Sequence, residues 1–167
     1  MATVFVTVGT TKFDELIETV TSDSIKKVLL ERDYDRLLLQ IGRGSFEPVS
    51  SKDSSFVVES YQFKNSLSVD LQEAKLVISH AGAGCILETL DVGKPLVVVV
   101  NEKLMDNHQF ELARRLHKDN HLLYCTCNTL EDTLRTMDLS SLRPFNRGHP
   151  EKLGSYLDSV MGHSSTE

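Results

Sequence analysis

Short apolar runs, many of them β-branched, alternate along this chain with segments whose apolar residues recur at helical spacing. The runs predict buried strands at residues 3–8, 36–41, 56–61, 75–79, 96–100 and 122–126. The periodic segments predict helices from Phe13 through Val20 and on to Leu29, over 66–74, from Ile86 to Leu90, and over 110–118 and 130–137. Alternating strands and helices are typical of an α/β fold. We therefore predict a Rossmann-like, mostly parallel sheet with helices on both faces.

The end of the chain carries one more amphipathic pattern. A closing helix is predicted after Pro150, with apolar residues at Leu153, Tyr156, Leu157, Val160 and Met161. The stretch Glu47–Ser55 is the most loop-like inside the chain, because it holds Pro48 and several serines. We find no repeat and no linker, so the 167 residues predict a single domain over 1–162 and a flexible tail at 163–167.

The most informative stretch is His80-Ala81-Gly82-Ala83-Gly84, which joins the strand at 75–79 to the next helix. Glycine lets the main chain approach a ligand closely, and the free N–H groups at a helix start attract an anion. Glu88 follows one helical turn later. These groups suit a phosphate at the turn and a sugar near the carboxylate. The alternative is an ordinary turn in which glycine only allows tight packing.

Two other polar loops follow predicted strands. Gly9-Thr10-Thr11 follows the first strand, and Asn101–Gln109 follows the strand at 96–100. Open α/β sheets bind ligands where the carboxyl ends of parallel strands meet, so we predict the site at this edge. His80 and His108 lie in these loops and are the weak candidates for catalytic residues. A structural histidine is the alternative for each, because position alone does not assign a catalytic pKa.

Composition and charge narrow the classes of partner. The chain has a net charge of −6 and no long block of Lys and Arg, so we expect no nucleic-acid partner. Cys85, Cys125 and Cys127 form no secreted disulfide framework, which favours the cytoplasm. No secretory signal pattern precedes the first strand, and no apolar run approaches the roughly 20 residues that span a bilayer. We therefore expect a soluble chain whose membrane role would come through a partner.

Other nucleotide folds and metal sites fit the sequence less well. The glycine loops lack the third glycine of G-x-G-x-x-G, and no Gly-Lys-Ser/Thr of a Walker A loop occurs. Asp33-Tyr34-Asp35 has the D-x-D pattern of metal-dependent glycosyltransferases, but it lies at the opposite end of its strand from the glycine loops. A zinc site is disfavoured because its candidate ligands divide between a helix and a strand: His117, His121, Cys125 and Cys127. Cys85 or Cys127 as a nucleophile lacks an identifiable base. We predict neither a metal nor a cofactor.

Whole motifs in this chain resemble a known enzyme family. They are Val4–Thr11, Gln40–Gly44, His80–Gly84 with Glu88, Gly93–Pro95 and Asn101–Gln109. Together they resemble the carboxyl-terminal half of the bacterial peptidoglycan N-acetylglucosaminyltransferases, glycosyltransferase family 28. They are most similar to the family's eukaryotic branch, the donor-binding catalytic subunits that act on dolichol-linked acceptors. The resemblance covers nearly the whole chain and implies one half of a GT-B glycosyltransferase, whose two Rossmann-like halves enclose the donor.

The resemblance also implies roles around the donor UDP-N-acetylglucosamine. Glu88 would bind the ribose hydroxyls, and Gln109 with Asn107 or His108 would reach the donor sugar. The diphosphate would lie against the two glycine loops, and the uracil against the main chain near Phe63 and Lys64. The implied substrate-binding residues are Gly9, Thr10, Thr11, Phe63, Lys64, His80, Gly82, Ala83, Gly84, Glu88, Asn107, His108 and Gln109.

The activity implied by the resemblance is inverting transfer of N-acetylglucosamine to N-acetylglucosaminyl-diphospho-dolichol, giving the chitobiosyl lipid of protein N-glycosylation. Because this chain has length for only one of the two halves, it would act with a membrane-anchored, acceptor-binding subunit. That subunit would recruit it from the cytoplasm to the cytosolic face of the endoplasmic reticulum. The alternative is a non-catalytic module that binds a nucleotide or sugar nucleotide in a regulatory role.

Overall fold

The structure is a computed structural model that describes residues 1–52, 55–103 and 108–145. Within these ranges the chain forms one seven-stranded sheet flanked by helices. The strands are β1 (Thr3–Thr7), β2 (Arg36–Gln40), β3 (Ser51–Lys52), β4 (Val57–Tyr61), β5 (Leu76–His80), β6 (Leu96–Val100) and β7 (Leu123–Thr126). The helices are α1 (Asp14–Val20), α2 (Asp23–Glu31), α3 (Ser68–Glu73), α4 (Ala83–Asp91), α5 (His108–Lys118) and α6 (Leu130–Thr136), with short 3-10 turns at Cys127–Thr129 and Leu139–Ser141.

The strand order is β3-β4-β2-β1-β5-β6-β7, and every neighbouring pair except β3–β4 is parallel. The chain starts in the middle of the sheet at β1 and builds outward through β2 and β4. It then returns to β5, beside β1, and builds the other half. The order therefore reverses between β1 and β5, which is where open α/β sheets bind their ligands. The predicted fold class is confirmed.

Helices cover both faces of the sheet, as predicted. In β1, Val4 and Val6 belong to the core beneath α1, α2 and α6, whereas Phe5 belongs to the core beneath α3, α4 and α5. Because both faces are buried, the central strands need apolar residues at most positions. This accounts for the continuous runs seen in the sequence.

Two element ends follow from local chemistry. Gly93, with φ of +73°, stops α4 in the left-handed conformation, and Pro95 then leads into β6. Ser22 caps α2, since its hydroxyl accepts a hydrogen bond from the Ile25 N–H.

None of the helices in the described ranges is long and apolar enough to cross a bilayer.

The structure differs from the sequence prediction in three places. Inside the stretch Glu47–Ser55, predicted as loop, Ser51 and Lys52 pair antiparallel with β4. An edge strand offers open N–H and C=O groups, so this pairing creates β3 where the local sequence has no strand signal. His80, predicted in a loop, is the last residue of β5, and α5 begins at His108, two residues earlier than predicted.

The predicted closing helix at 153–161, the domain limit at residue 162 and the tail at 163–167 lie outside the described residues.

Candidate functional site

Loops from β1 and β5 meet at the point where the strand order reverses. Gly9, with φ of +64°, follows β1. A Cβ added there would lie 2.8 Å from Nε2 of His80 and 3.2 Å from Sγ of Cys85. A Cβ added at Gly82 would lie only 2.3 Å from Cε1 of His80. Neither glycine therefore tolerates a side chain without movement, because the His80 ring fills the space between the two loops.

The His80 ring is partly buried and points an unpartnered atom at this junction. Its Nε2 is inaccessible to solvent and has no hydrogen-bond partner among the described residues. Burial lowers the pKa of His80 from 6.5 to about 4, so the ring is neutral at neutral pH. A neutral ring can donate or accept one hydrogen bond at Nε2, depending on its tautomer. With that pKa it is a weak general base at neutral pH.

The start of α4 offers backbone N–H groups to a ligand. Gly82 is the N-cap residue and has no side chain to cap the helix. The first hydrogen bond of the helix runs from the Ile86 N–H to the Gly82 carbonyl. The N–H groups of Ala83, Gly84 and Cys85 have no acceptor among the described residues. Gly84 is exposed, and a Cβ there would meet nothing within 4 Å. An anion can thus reach these N–H groups and the positive end of the helix dipole.

Glu88 lies on the same side of α4 as Gly84, one turn further along the helix. It is exposed, whereas Ile86, Leu87 and Leu90 face the core. Its carboxylate makes no hydrogen bond or ion pair with a described residue. A carboxylate that is free beside an anion-binding turn can accept hydrogen bonds from vicinal hydroxyls. The structure therefore brings together the groups that the sequence analysis assigned to a phosphate and a sugar.

The loop Gly9-Thr10-Thr11 has fewer free groups than its sequence suggests. The Gly9 N–H donates to Oε1 of Gln40 at 2.9 Å, and the Thr11 hydroxyl donates to the Val8 carbonyl at 2.9 Å. The Thr11 N–H also donates to the Val8 carbonyl, at 3.3 Å. Thr10 is exposed and makes no hydrogen bond with a described residue. Within this loop, Thr10 is left to contact a ligand.

The loop after β4 presents one exposed aromatic ring and one anchored lysine. Phe63 is 50% exposed. Lys64 donates from Nζ to Oδ2 of Asp70 at 3.0 Å and lies 4.4 Å from the Tyr61 ring centroid. Asp70, only 7% exposed, also accepts a 2.6 Å hydrogen bond from the Tyr61 hydroxyl. Burial, together with the Asp70 carboxylate, raises the pKa of Tyr61 above its usual value.

The third predicted loop is only partly described. Asn107 lies outside the described residues, and the backbones of His108 and Gln109 form the start of α5. Because β6 is the neighbour of β5, the start of α5 lies at the same edge of the sheet as α4. The roles predicted for these three side chains stay predictions. In the described part of this loop, Nζ of Lys103 lies 3.7 Å from Oε2 of Glu15 in α1.

The residues weighed as metal ligands do not converge. His121 packs edge-on to Phe145, in the core beneath α3, α4 and α5. Cys125 belongs to the core on the opposite face. Within the described ranges, no three His, Cys, Asp or Glu side chains are grouped so as to hold a metal ion.

The D-x-D pattern lies at the far end of β2, as predicted. Asp33 and Asp35 fall between α2 and the start of β2. There Oδ1 of Asp35 accepts a hydrogen bond from the Ala2 N–H, so this carboxylate already has a structural partner.

Gln40 and Asp70 support the site but were not predicted. Gln40 ends β2 and is 2% exposed, and its side chain makes five hydrogen bonds, to the last residue of β1 and to the loops that follow β1 and β4. The sequence did contain a signal for Gln40: a glutamine directly follows the apolar run 37–39, and a polar side chain buried at the end of a strand needs hydrogen-bond partners. Asp70 lies in an ordinary amphipathic helix pattern and had no comparable signal.

The chain is similar to known proteins in sequence. The profile of the glycosyltransferase family 28 C-terminal domain matches residues 3–158. The UDP-N-acetylglucosamine transferase subunit ALG13 of Homo sapiens is 59% identical over 131 residues, which make up 78% of this chain but only 11% of that protein.

Two solved structures are similar in fold. The solution structure of ALG13 has a TM-score of 0.72 and 26% identity, covering 96% of each chain. MurG of Acinetobacter baumannii has a TM-score of 0.62 and 18% identity, covering 84% of this chain and 42% of its own. The likeness to MurG is a likeness of fold, limited to part of the larger chain.

Proposed function

Because this chain belongs to the family of glycosyltransferase family 28 C-terminal domains, we propose that it is the donor-binding part of an N-acetylglucosaminyltransferase that uses UDP-N-acetylglucosamine. The relative with 59% identity is named as a subunit of such a transferase. The observation that carries the proposal is the start of α4, where unpaired N–H groups, an exposed glycine and the free carboxylate of Glu88 lie side by side.

The donor's diphosphate fits the N–H groups of Ala83, Gly84 and Cys85, and the ribose hydroxyls fit Glu88. Backbone N–H groups can stabilise the negative charge of a diphosphate without the help of a positively charged side chain. This suits a chain of net charge −6. Phe63 and Lys64, on the loop after β4, are left for the uracil.

The proposed reaction inverts the anomeric centre. A hydroxyl of the acceptor sugar attacks the anomeric carbon, the bond from that carbon to the β-phosphate oxygen breaks, and UDP leaves with the bonding electrons. The hydroxyl proton passes to a base. Negative charge grows on the diphosphate as the bond breaks, and N–H groups that already point at it stabilise this charge without rearranging.

We further propose that the acceptor is N-acetylglucosaminyl-diphospho-dolichol, held by a membrane-anchored partner on the cytosolic face of the endoplasmic reticulum. The word subunit in the name of the human relative supports a partner. The product would be the chitobiosyl lipid used in protein N-glycosylation.

The test mixes this chain, UDP-N-acetylglucosamine and a short lipid-diphosphate-N-acetylglucosamine acceptor, with and without solubilised membranes. Disaccharide should form only when membranes are present, and an acceptor-free mixture is the control. Robust product from the chain alone would contradict the need for a partner. Binding of UDP-N-acetylglucosamine without product under any condition would favour the non-catalytic module instead.

A further inference from the structure

The side chain of Gln40 joins two loops that are distant in sequence. Nε2 donates to the carbonyl oxygen of Gly9 at 2.8 Å and to the carbonyl oxygen of Gln62 at 2.7 Å. This is possible because β2 lies between β1 and β4, so the end of β2 is flanked by the loops that follow both neighbours. One buried amide thus bridges the loop after β1, residues 8–13 (the Gly9 loop), and the loop after β4, residues 62–67 (the Gln62 loop).

The bonds at the oxygen of the same amide determine its orientation. Oε1 accepts from the Thr7 hydroxyl at 2.6 Å, from the Val8 N–H at 3.1 Å and from the Gly9 N–H at 2.9 Å. Turning the amide over would set its NH₂ group against two N–H groups and its oxygen against two carbonyls. With every donor and acceptor of the amide in use, only one arrangement satisfies the network.

The two bridged loops are those assigned to different parts of the donor. Gly9 begins the loop that lies over His80, beside the proposed diphosphate position. Gln62 directly precedes Phe63 and Lys64, the residues assigned to the uracil. Asp70 holds this second loop from its other side, through Tyr61 and Lys64. The Gln62 loop is therefore anchored at both ends, and Gln40 ties one of those ends to the Gly9 loop.

We propose that Gln40 is a positioning residue that sets the spacing between the diphosphate side and the base side of the donor site. The inference rests on the proposed function, because it needs a ligand that spans both loops. Loops held in the bound arrangement before binding spare the ligand the entropy cost of ordering them. A nucleoside diphosphate gains from this spacing, whereas a nucleoside, which has no diphosphate to place beside the Gly9 loop, does not.

The test compares uridine and UDP as ligands of the 167-residue chain by NMR-monitored titration. Gln40→Glu keeps the shape and the acceptor oxygen but replaces the Nε2 donor by an oxygen facing two carbonyls. We expect UDP affinity to fall at least about tenfold and uridine affinity by no more than roughly twofold. This change in the ratio of the two affinities would not result from a general loss of stability.

Thr7→Val is the matched control. It removes a buried hydroxyl from the same network but leaves both Nε2 bonds in place. It should lower stability and leave the ratio of UDP to uridine affinity unchanged. Equal losses of UDP and uridine affinity in Gln40→Glu, with normal UDP binding by the unaltered chain, would overturn the positioning role alone. Failure of the unaltered chain to bind UDP would overturn the proposed function and this inference together.

Amide hydrogen exchange on the unaltered chain keeps the proposal testable if Gln40→Glu does not fold. The Val8 and Gly9 N–H groups donate to Gln40. Uridine would contact the Gln62 loop and Glu88, but it has no diphosphate to contact the Gly9 loop directly. If Gln40 couples the loops, uridine alone should slow exchange at Val8 and Gly9. Unchanged exchange at both amides, with uridine bound, would overturn the proposal.

Discussion

Lys64 and Asp70 form an ion pair of 3.0 Å in which the lysine is half exposed and the carboxylate is nearly buried. The same carboxylate oxygen accepts the Tyr61 hydroxyl. A buried carboxylate needs such partners, because water cannot reach it to replace them. The pair therefore anchors the loop that carries Phe63, whose ring is left exposed to contact a ligand.

Asp70→Asn should lower the free energy of unfolding by about 1–3 kcal/mol, because it removes the charge from two hydrogen bonds at a buried site. Chemical denaturation measures the change. Asp132→Asn is the matched control: its side chain is 83% exposed and 3.6 Å from Arg135. It should change stability by no more than about 0.5 kcal/mol. Equal effects at the two sites would contradict a structural role for Asp70.

Glu88→Ala should weaken UDP-N-acetylglucosamine binding while leaving stability unchanged. Loss of hydrogen bonds to a charged carboxylate costs about 1.5–3 kcal/mol, or roughly ten- to a hundredfold in affinity. Stability should not change because Glu88 is exposed and has no hydrogen-bond or ion-pair partner among the described residues. Calorimetry measures the affinity, with Glu73→Ala as an exposed control on α3. Undiminished affinity in Glu88→Ala would place the ribose elsewhere.

Gln109→Ala should weaken binding of UDP-N-acetylglucosamine more than binding of UDP. The expected cost is about 0.5–1.5 kcal/mol, the contribution of one hydrogen bond between neutral groups. The reason is position, since Gln109 lies in the first turn of α5, beside α4 along the sheet edge. His108→Ala is the companion variant. Parallel titrations with the two ligands separate the sugar from the nucleotide, and equal losses for both would move Gln109 away from the sugar.

Transfer should not depend on a divalent metal. The N–H groups at the start of α4 can take over the neutralisation of the diphosphate, and the D-x-D pattern lies at the opposite end of β2. The assay repeats the membrane-supplemented reaction in EDTA. Product formation should continue at a similar rate. Complete loss in EDTA, restored by magnesium or manganese, would contradict this prediction.

His80 should make the protein less stable as the pH falls from about 6.5 to about 4. In the unfolded chain this histidine binds a proton near its ordinary pKa of 6.5, whereas burial lowers its folded pKa to about 4. Between those values the unfolded state holds more protons, so acid favours unfolding; above and below the window His80 adds no pH dependence. The loss across the window is up to about 3 kcal/mol.

The measurement is urea unfolding at several pH values for the unaltered chain and for His80→Gln, which cannot titrate. The difference between the two curves isolates His80 from other titrating groups. The unaltered chain should lose stability relative to the variant as acid is added. Parallel curves between pH 7 and pH 4 would show that the folded His80 titrates normally.

Local patterns in the sequence were sufficient for most of the fold. Six strands were predicted from short, mostly apolar runs, and in the central strands such runs occur because both faces of the sheet are buried. The end of α4 was predicted because Gly93 and Pro95 act through their own backbone geometry. The glycine loops were predicted at one edge because parallel strands put their carboxyl ends together.

The tertiary structure alone decided which groups of those loops are free. The Gly9 N–H is used by Gln40, 31 positions away in the chain, and the Gln62 carbonyl by the same side chain from 22 positions away. The low pKa of His80 comes from burial between loops that are distant in sequence. β3 exists because an edge strand offers hydrogen bonds to it. Each of these features depends on contacts between distant segments, and only folding brings those segments together.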